Sequence, residues 1–330
     1  MQRKKLFSLV ILFILLVAVL AYPTRLERPV ETNNQPPDIQ ASEQSFSVLS
    51  ANVGNANLGC TSYAFKLCEQ SVENSISAGI KALAPDIIGL QEVLADWQCA
   101  DRDERDPNKV CAQAHKESQI QRLVGPGYTI LCDARRNFTC LAVKESFANI
   151  QGCAPGDLCV AERTTSEIEG CENNFASLTA SIATHTGHFF DVAVLHLPAR
   201  GPSCRSAVLE ELFEVRSADF FESDQLLLMG DINLDPWRAN DVSQQTWTRI
   251  FEAGWLGRSN SYHSGIAEMN PPHYTLRVPF FDRTLDVLAS NFLVGTAEVL
   301  GESEGSQRLD GGRGMDHRAL FATLYFPEEN

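Results

Sequence analysis

Leu226-Leu227-Leu228-Met229 is an apolar run without a polar break, and it ends abruptly in Gly230-Asp231. A strand with one wet face alternates between apolar and polar residues, whereas an unbroken run belongs to a strand covered on both faces. Val192-Ala193-Val194-Leu195 ahead of His196, and Ile87-Ile88-Gly89-Leu90 ahead of Gln91-Glu92, repeat the pattern. Such strands need a second layer on each side. Strands are predicted at 46–52, 86–91, 128–132, 139–143, 176–183, 189–196, 226–231, 284–290 and 319–325. Helices are predicted at 68–83, 115–124, 205–221 and 244–253. Alternating short strands and helices imply an α/β protein with two packed sheets and helices outside them. At 330 residues two domains would fit, but no linker-like stretch interrupts 46–328, which reads as one domain.

The chain opens with Arg3, Lys4 and Lys5, followed by a 16-residue apolar run from Leu6 to Ala21 broken only by Ser8. As a helix this run is about 24 Å long, short of the ~30 Å hydrocarbon core of a bilayer. Residues 1–21 read as a signal peptide, or as a signal anchor if uncleaved, and either way the remainder is extracytoplasmic: secreted or periplasmic, touching a membrane only through this segment. Removing it takes three positive and no negative charges from a total of −15, leaving −18. So acidic a chain does not hold nucleic acid by a broad basic surface; a phosphate substrate calls for a metal cation. Residues 22–45, polar and bearing Pro29, Pro36 and Pro37, read as a flexible tether.

Ten cysteines in an exported chain read as up to five disulfides. Neighbour pairing gives Cys60–Cys68, Cys99–Cys111, Cys132–Cys140, Cys153–Cys159 and Cys171–Cys204, although sequence alone does not fix connectivity. Asn137-Phe138-Thr139 is a glycosylation triplet, meaningful only in a eukaryotic secretory host.

Polar groups of catalytic type stand at the ends of the apolar runs: Asn52, Gln91-Glu92, His196, Asp231 with Asn233, Asp286, and Asp316-His317. Any one of them alone is more often a cap or a turn residue. Together they place carboxylates, amides and imidazoles at the carboxyl ends of strands, where α/β proteins build their sites.

The segments SANVG, PDIIGLQEV, VLHLPA, LLLMGDINLDP, RTLDVLAS and GMDHRAL, spread over residues 50–320, resemble the endonuclease/exonuclease/phosphatase superfamily, the fold of deoxyribonuclease I, bacterial sphingomyelinases and inositol-polyphosphate 5-phosphatases. The resemblance implies a four-layer α/β/β/α sandwich and divalent-metal hydrolysis of phosphate esters. It makes Glu92 the principal Mg²⁺ ligand (Mn²⁺ is an alternative), with Asn52 and Asp316 completing the sphere directly or through water. It assigns Asp231 to orient or deprotonate the attacking water, and Asn233 to hold that water or a phosphate oxygen. His317 would donate to a phosphate oxygen while Asp286 fixes its tautomer, and His196 would protonate the leaving oxygen or hold the phosphate. A histidine at 196 is similar to the deoxyribonuclease I and sphingomyelinase branches rather than the abasic-DNA repair branch. Met315 and Val287 depart from the residues usual in the family at those positions.

Arg205 is a further substrate-binding candidate, with a capping or ion-pair role equally open, and Arg135, Arg136 and Arg200 are weaker ones. Gly311-Gly312-Arg313-Gly314 reads as a flexible loop delivering Asp316-His317, and the four tryptophans as packing residues. The function expected is an exported phosphodiesterase, foremost an endonuclease on DNA or RNA. The alternatives are a phospholipid or sphingomyelin phosphodiesterase acting on a head group, and an inactive binding or toxin-delivery module.

Overall fold

The computed structural model describes residues 41–54, 69–94, 108–113, 117–133, 138–166, 168–171, 177–235, 242–252, 263–264, 275–278, 281–302, 305–312 and 315–328. Residues 1–21, read as an export signal, most of the stretch read as a tether, Cys60, Cys68, Cys99, Asn137, Arg135, Arg136, Trp97, Trp237 and Trp255 lie outside them. Among the described residues no helix is long and apolar enough to cross a membrane.

Strand β1 (Ala41–Asn52) pairs in parallel with β2 (Ile87–Val93), and antiparallel with the last strand, β15 (Leu320–Pro327). It starts five residues before the predicted strand, inside the stretch read as tether. Next come β3 (Tyr128–Cys132), β4 (Phe138–Lys144), β5 (Ala148–Ile150) and β6 (Leu158–Val160). The central hairpin follows as β7 (Leu178–Thr184) and β8 (Phe189–His196), then β9 (Leu226–Asp231). The chain continues through β10 (His263–Ser264), β11 (Leu276–Val278), β12 (Phe281–Arg283), β13 (Asp286–Ser290) and β14 (Val294–Val299). One sheet has the order β14-β15-β1-β2-β4-β3-β6 and the other β10-β13-β9-β8-β7-β5, with β11-β12 a small separate ribbon.

Three apolar layers hold these sheets. Val48, Ile87, Leu141, Val192, Val194, Leu227, Met229 and Leu288 meet between them. Side chains from the opposite faces, among them Leu49, Ile88 and Leu90, pack under helix α1 (Gln70–Leu83) and helix α2 (Gln119–Val124). The outer face of the second sheet, including Leu195, Leu226 and Leu228, packs under α3 (Pro202–Glu210), α4 (Ser217–Phe220) and α5 (Val242–Glu252). The result is the expected four-layer α/β/β/α sandwich, and the unbroken apolar strands are the ones covered on both faces.

Local chemistry sets the ends of these elements. Val72, Ile76 and Ile80 lie four apart on the buried stripe of α1, which stops at Ala84 (φ 45°) ahead of Pro85. Ser118 and Gln121 form a reciprocal cap at the start of α2. The single helix predicted at 205–221 is a correction: α3 passes into a π-helical turn at Glu211–Val215, then breaks at Arg216 before α4. The wide turn keeps Val208, Leu209, Leu212 and Phe213 all facing the core. Disulfides join Cys132–Cys140, Cys153–Cys159 and Cys171–Cys204, three of the expected pairs, and Cys111 is also disulfide-bonded.

Candidate active site

Register brings the strand-end residues together. His196 pairs with Asp231 across β8 and β9, and Asp286 pairs with Asp231 across β13 and β9, so three functional side chains stand in one row. Gly230 has φ 130°, and a Cβ there would lie 2.0 Å from the Leu195 carbonyl oxygen, so only glycine lets β9 run this close to β8 just ahead of Asp231. From the facing sheet, Asn52 ends β1 beside Gln91. Its amide nitrogen donates to Asp231 Oδ2 (2.9 Å) and Glu92 Oε1 (3.3 Å), joining carboxylates from the two sheets. The Asn52 oxygen takes the Gly54 N–H at 2.8 Å, which fixes the amide with its nitrogen toward the carboxylates.

Glu92 sits in a bulge. Leu90 opposes Cys140 and Val93 opposes Phe138, so Gln91 and Glu92 together oppose Thr139, and Glu92 takes φ 59°. The bulge turns its carboxylate to His196 Nε2, 3.6 Å away. Asn233, also at positive φ (48°), gives its backbone N–H to Asp231 Oδ1 (2.8 Å) and its amide nitrogen to the Leu197 carbonyl (2.9 Å). That amide therefore anchors the chain just beyond His196.

His317 Nδ1 is 2.8 Å from Asp286 Oδ2, and its Nε2 is 3.7 Å from Asp231 Oδ2. Both partners are delivered by Thr275, whose hydroxyl oxygen accepts the N–H groups of Leu285 and Asp286 and whose carbonyl accepts from Arg318 N. Asp316 accepts the His317 N–H (3.0 Å).

The charges follow from burial and neighbours. Desolvation pushes Asp231 up to about 7, with Asp286 adding to the rise and the His317 charge opposing it. Burial works against a charge on His317 as well, yet Asp286 and Asp231 outweigh it and raise the imidazole well above its ordinary value. His196, wholly buried and facing that cation, is pushed down to about 3 and is neutral. Asp231, Asp286 and His317 offer ligand atoms within 4.8 Å of one another, a grouping able to hold a metal ion. A protonated His317 clamped by Asp286 is not a ligand, however. The oxygen donors Glu92 and Asp231, with excess negative charge and no thiol, suit a hard divalent cation that keeps several waters.

No family model and no curated protein matches the sequence. Solved structures do match. An endonuclease/exonuclease/phosphatase family protein from Bacteroides thetaiotaomicron superposes with TM-score 0.58 at 15% identity, over 88% of this chain and 98% of that one. The human Nocturnin catalytic domain with bound sulfate gives 0.52 at 20% identity, over 88% and 97%. ANGEL2, a 2′,3′-cyclic phosphatase in complex with adenosine-2′,3′-vanadate, gives 0.53 at 17%, over 86% and 96%. This chain has the endonuclease/exonuclease/phosphatase fold.

Within that fold, Asn52, Glu92, His196, Asp231, Asn233, Asp286 and His317 converge as a set. Arg205 does not join them. Its buried guanidinium bonds Ser243 Oγ and the carbonyls of Pro198 and Ala199, bracing the segment after His196. Arg200 is exposed. Of the glycine-rich loop, Arg313 and Gly314 lie outside the described residues. Asp310, fully buried, accepts from Gly312 N, Met315 N and Arg308 Nε, and so ties down both sides of the turn leading to Asp316-His317. Asp310 and Thr275 escaped the sequence reading, since an acid or hydroxyl that accepts main-chain N–H groups has no pattern of its own. Trp247 is core, as expected.

Proposed function

We propose that this protein is a divalent-metal-dependent phosphodiesterase acting outside the cytoplasm, foremost on nucleic acid. The observation that carries the reading is the meeting of Glu92, from one sheet, with Asp231 and His196, from the other, through Asn52, and with His317, on the segment that leads into β15. Glu92 and Asp316 would hold Mg²⁺ or Mn²⁺, and the ion would supply charge neutralisation and Lewis acidity at the phosphate; Asn52, its amide nitrogen turned to Glu92 and Asp231, would position these carboxylates and not ligate the ion. Asp231, its proton affinity raised and its second oxygen fixed by Asn233 N–H, takes the proton of the attacking water. His317 carries a proton at Nε2 for a non-bridging phosphate oxygen, because Asp286 holds the Nδ1 side. His196, whose pKa burial lowers to about 3, would hold the phosphate by a hydrogen bond or pass its ring proton to the leaving oxygen. The adenosine-2′,3′-vanadate bound to ANGEL2 supports a nucleotide phosphate ester over other esters.

The test is a panel of DNA, RNA and bis(4-nitrophenyl) phosphate offered to the full chain with Mg²⁺ or Mn²⁺, with and without chelator. Metal-dependent cleavage of a nucleic acid is the expected result. Phosphocholine release from sphingomyelin vesicles, with nucleic acid left intact, would move the reading to a lipid head group.

A further inference from the structure

Directly beneath the cleft, on the inner face of the first sheet, three polar side chains are buried without a hydrogen-bond partner among the described residues. Ser50 Oγ, both amide atoms of Gln91 and Thr139 Oγ1 are all in this state, and Gln91 is 0% exposed. They share one face. Val48, Ile87 and Leu141 point into the layer between the sheets, so strand alternation sends Ser50 and Asn52, Gly89 and Gln91, and Thr139 the same way. Register makes them neighbours, since Ser50 pairs with Gly89 and Thr139 stands opposite the Gln91-Glu92 bulge.

The height of this group in the sandwich is fixed from below. A Cβ on Gly89 would meet Met229 Sδ at 2.4 Å and Val194 Cγ1 at 3.3 Å, so position 89 sits over those two residues of β9 and β8. Two residues further on, all three strands reach Gln91, Asp231 and His196. Asn52, the register partner of Gln91, bonds Asp231 at this level.

Leaving a primary amide and two hydroxyls dry between two sheets costs the full desolvation of each, and native interiors meet that cost with bound water. We propose that Gln91, Ser50 and Thr139 form an internal water site under the His196–Asp231 pair, and that Gln91 acts through it as a positioning residue of the cleft. The amide offers two donors and an acceptor, so it can anchor a water from either side while the hydroxyls orient to suit. Such a water holds the floor of the site polar and keeps the His196 ring and the Asp231 carboxylate from sinking into the apolar layer formed by Val194 and Met229. The role rests on the phosphodiesterase reading; the water site does not.

The test combines two measurements on the full chain. In a crystal structure at about 1.5 Å, water density within hydrogen-bond distance of the Gln91 amide and at least one of the two hydroxyls is expected. A Gln91 amide bonded only to protein groups would overturn the site. In kinetics with bis(4-nitrophenyl) phosphate and Mn²⁺, Gln91→Leu is expected to lower kcat at least tenfold with KM unchanged and with no fall in Tm, because a buried polar group has been exchanged for an apolar one. The double variant Ser50→Ala/Thr139→Val is expected to act in the same direction and covers a folding failure of the first. Unchanged kcat in both would overturn the positioning role. A wild-type chain that turns nothing over would refute the phosphodiesterase reading and the role with it, and the density still decides the water site.

Discussion

Two non-glycine residues of the cleft, Glu92 and Asn233, are held at φ 59° and 48°. Each costs on the order of 1 kcal/mol of backbone strain, accepted where a side chain must be aimed. Glu92 is aimed at His196 and Asn52, so its carboxylate is needed more than its bulk: Glu92→Gln is expected to lower phosphodiester cleavage by about 10³-fold with Tm unchanged, measured by initial rates and calorimetry. Asp286 is needed for its charge. With Asp286 present the folded pKa of His317 lies above its unfolded value, so the imidazolium stabilises the fold at low pH and that contribution is lost as pH rises through the folded pKa. Asp286→Asn removes the nearest carboxylate; the His317 ring resonances of the metal-free chain are expected to titrate at lower pH than in the wild type, with kcat reduced about 10–100-fold. Unmoved resonances would show that Asp286 does not hold the proton. Glu92 and Asp231 were legible because each follows an apolar run, as Asp231 does after Leu226–Gly230, whereas Asp286 opens β13 and His317 precedes β15, so these two stand at amino ends and not at the carboxyl ends expected. The amide orientation of Asn52 and the neutrality of His196 were not legible, because both depend on which carboxylate arrives from the other sheet.

At the scale of elements, the strands that could be read from sequence were those with buried faces. Strands β3, β8 and β9 fall where predicted, whereas β6, only three residues long with Leu158 and Val160 exposed, and β14, half of whose positions are exposed, were missed. The small ribbon β11-β12 was missed too, and it carries the chain past Thr275 to Asp286. Packing of β9 against β8 has no slack at Gly230, so Gly230→Ala is expected to cost about 3 kcal/mol or more, read from urea melts. On the far side of the first sheet, Tyr128 donates its hydroxyl proton to the Pro85 carbonyl, and burial, with Asp86 nearby, pushes the phenol up to about 12. A raised folded pKa means the unfolded chain loses this proton first, so stability falls as pH climbs from about 10 to 12. Tyr128→Phe is expected to flatten that alkaline slope while lowering stability at pH 8 by about 1 kcal/mol, because the Pro85 carbonyl loses its donor.

For the molecule as a whole, three described disulfides lock local structure, and one of them reaches furthest. Cys171–Cys204 closes 33 residues of sequence and ties the segment ahead of β7 to α3. Its loss in Cys171→Ala/Cys204→Ala is expected to cost about 3–4 kcal/mol by chain entropy, measured by denaturant melts under oxidising conditions. The four-layer architecture was legible because unbroken apolar strands need cover on both faces. The acidic total is compatible with the cleft, since a basic surface is not required where a cation neutralises the phosphate. The most direct test of the account is the initial rate of bis(4-nitrophenyl) phosphate hydrolysis by wild type and Glu92→Gln, each with Mg²⁺, with Mn²⁺ and with excess chelator. Turnover by the wild type alone, abolished by chelator, is what a single cation site at the junction of the two sheets predicts. Equal rates with and without metal, or full activity in Glu92→Gln, would contradict it.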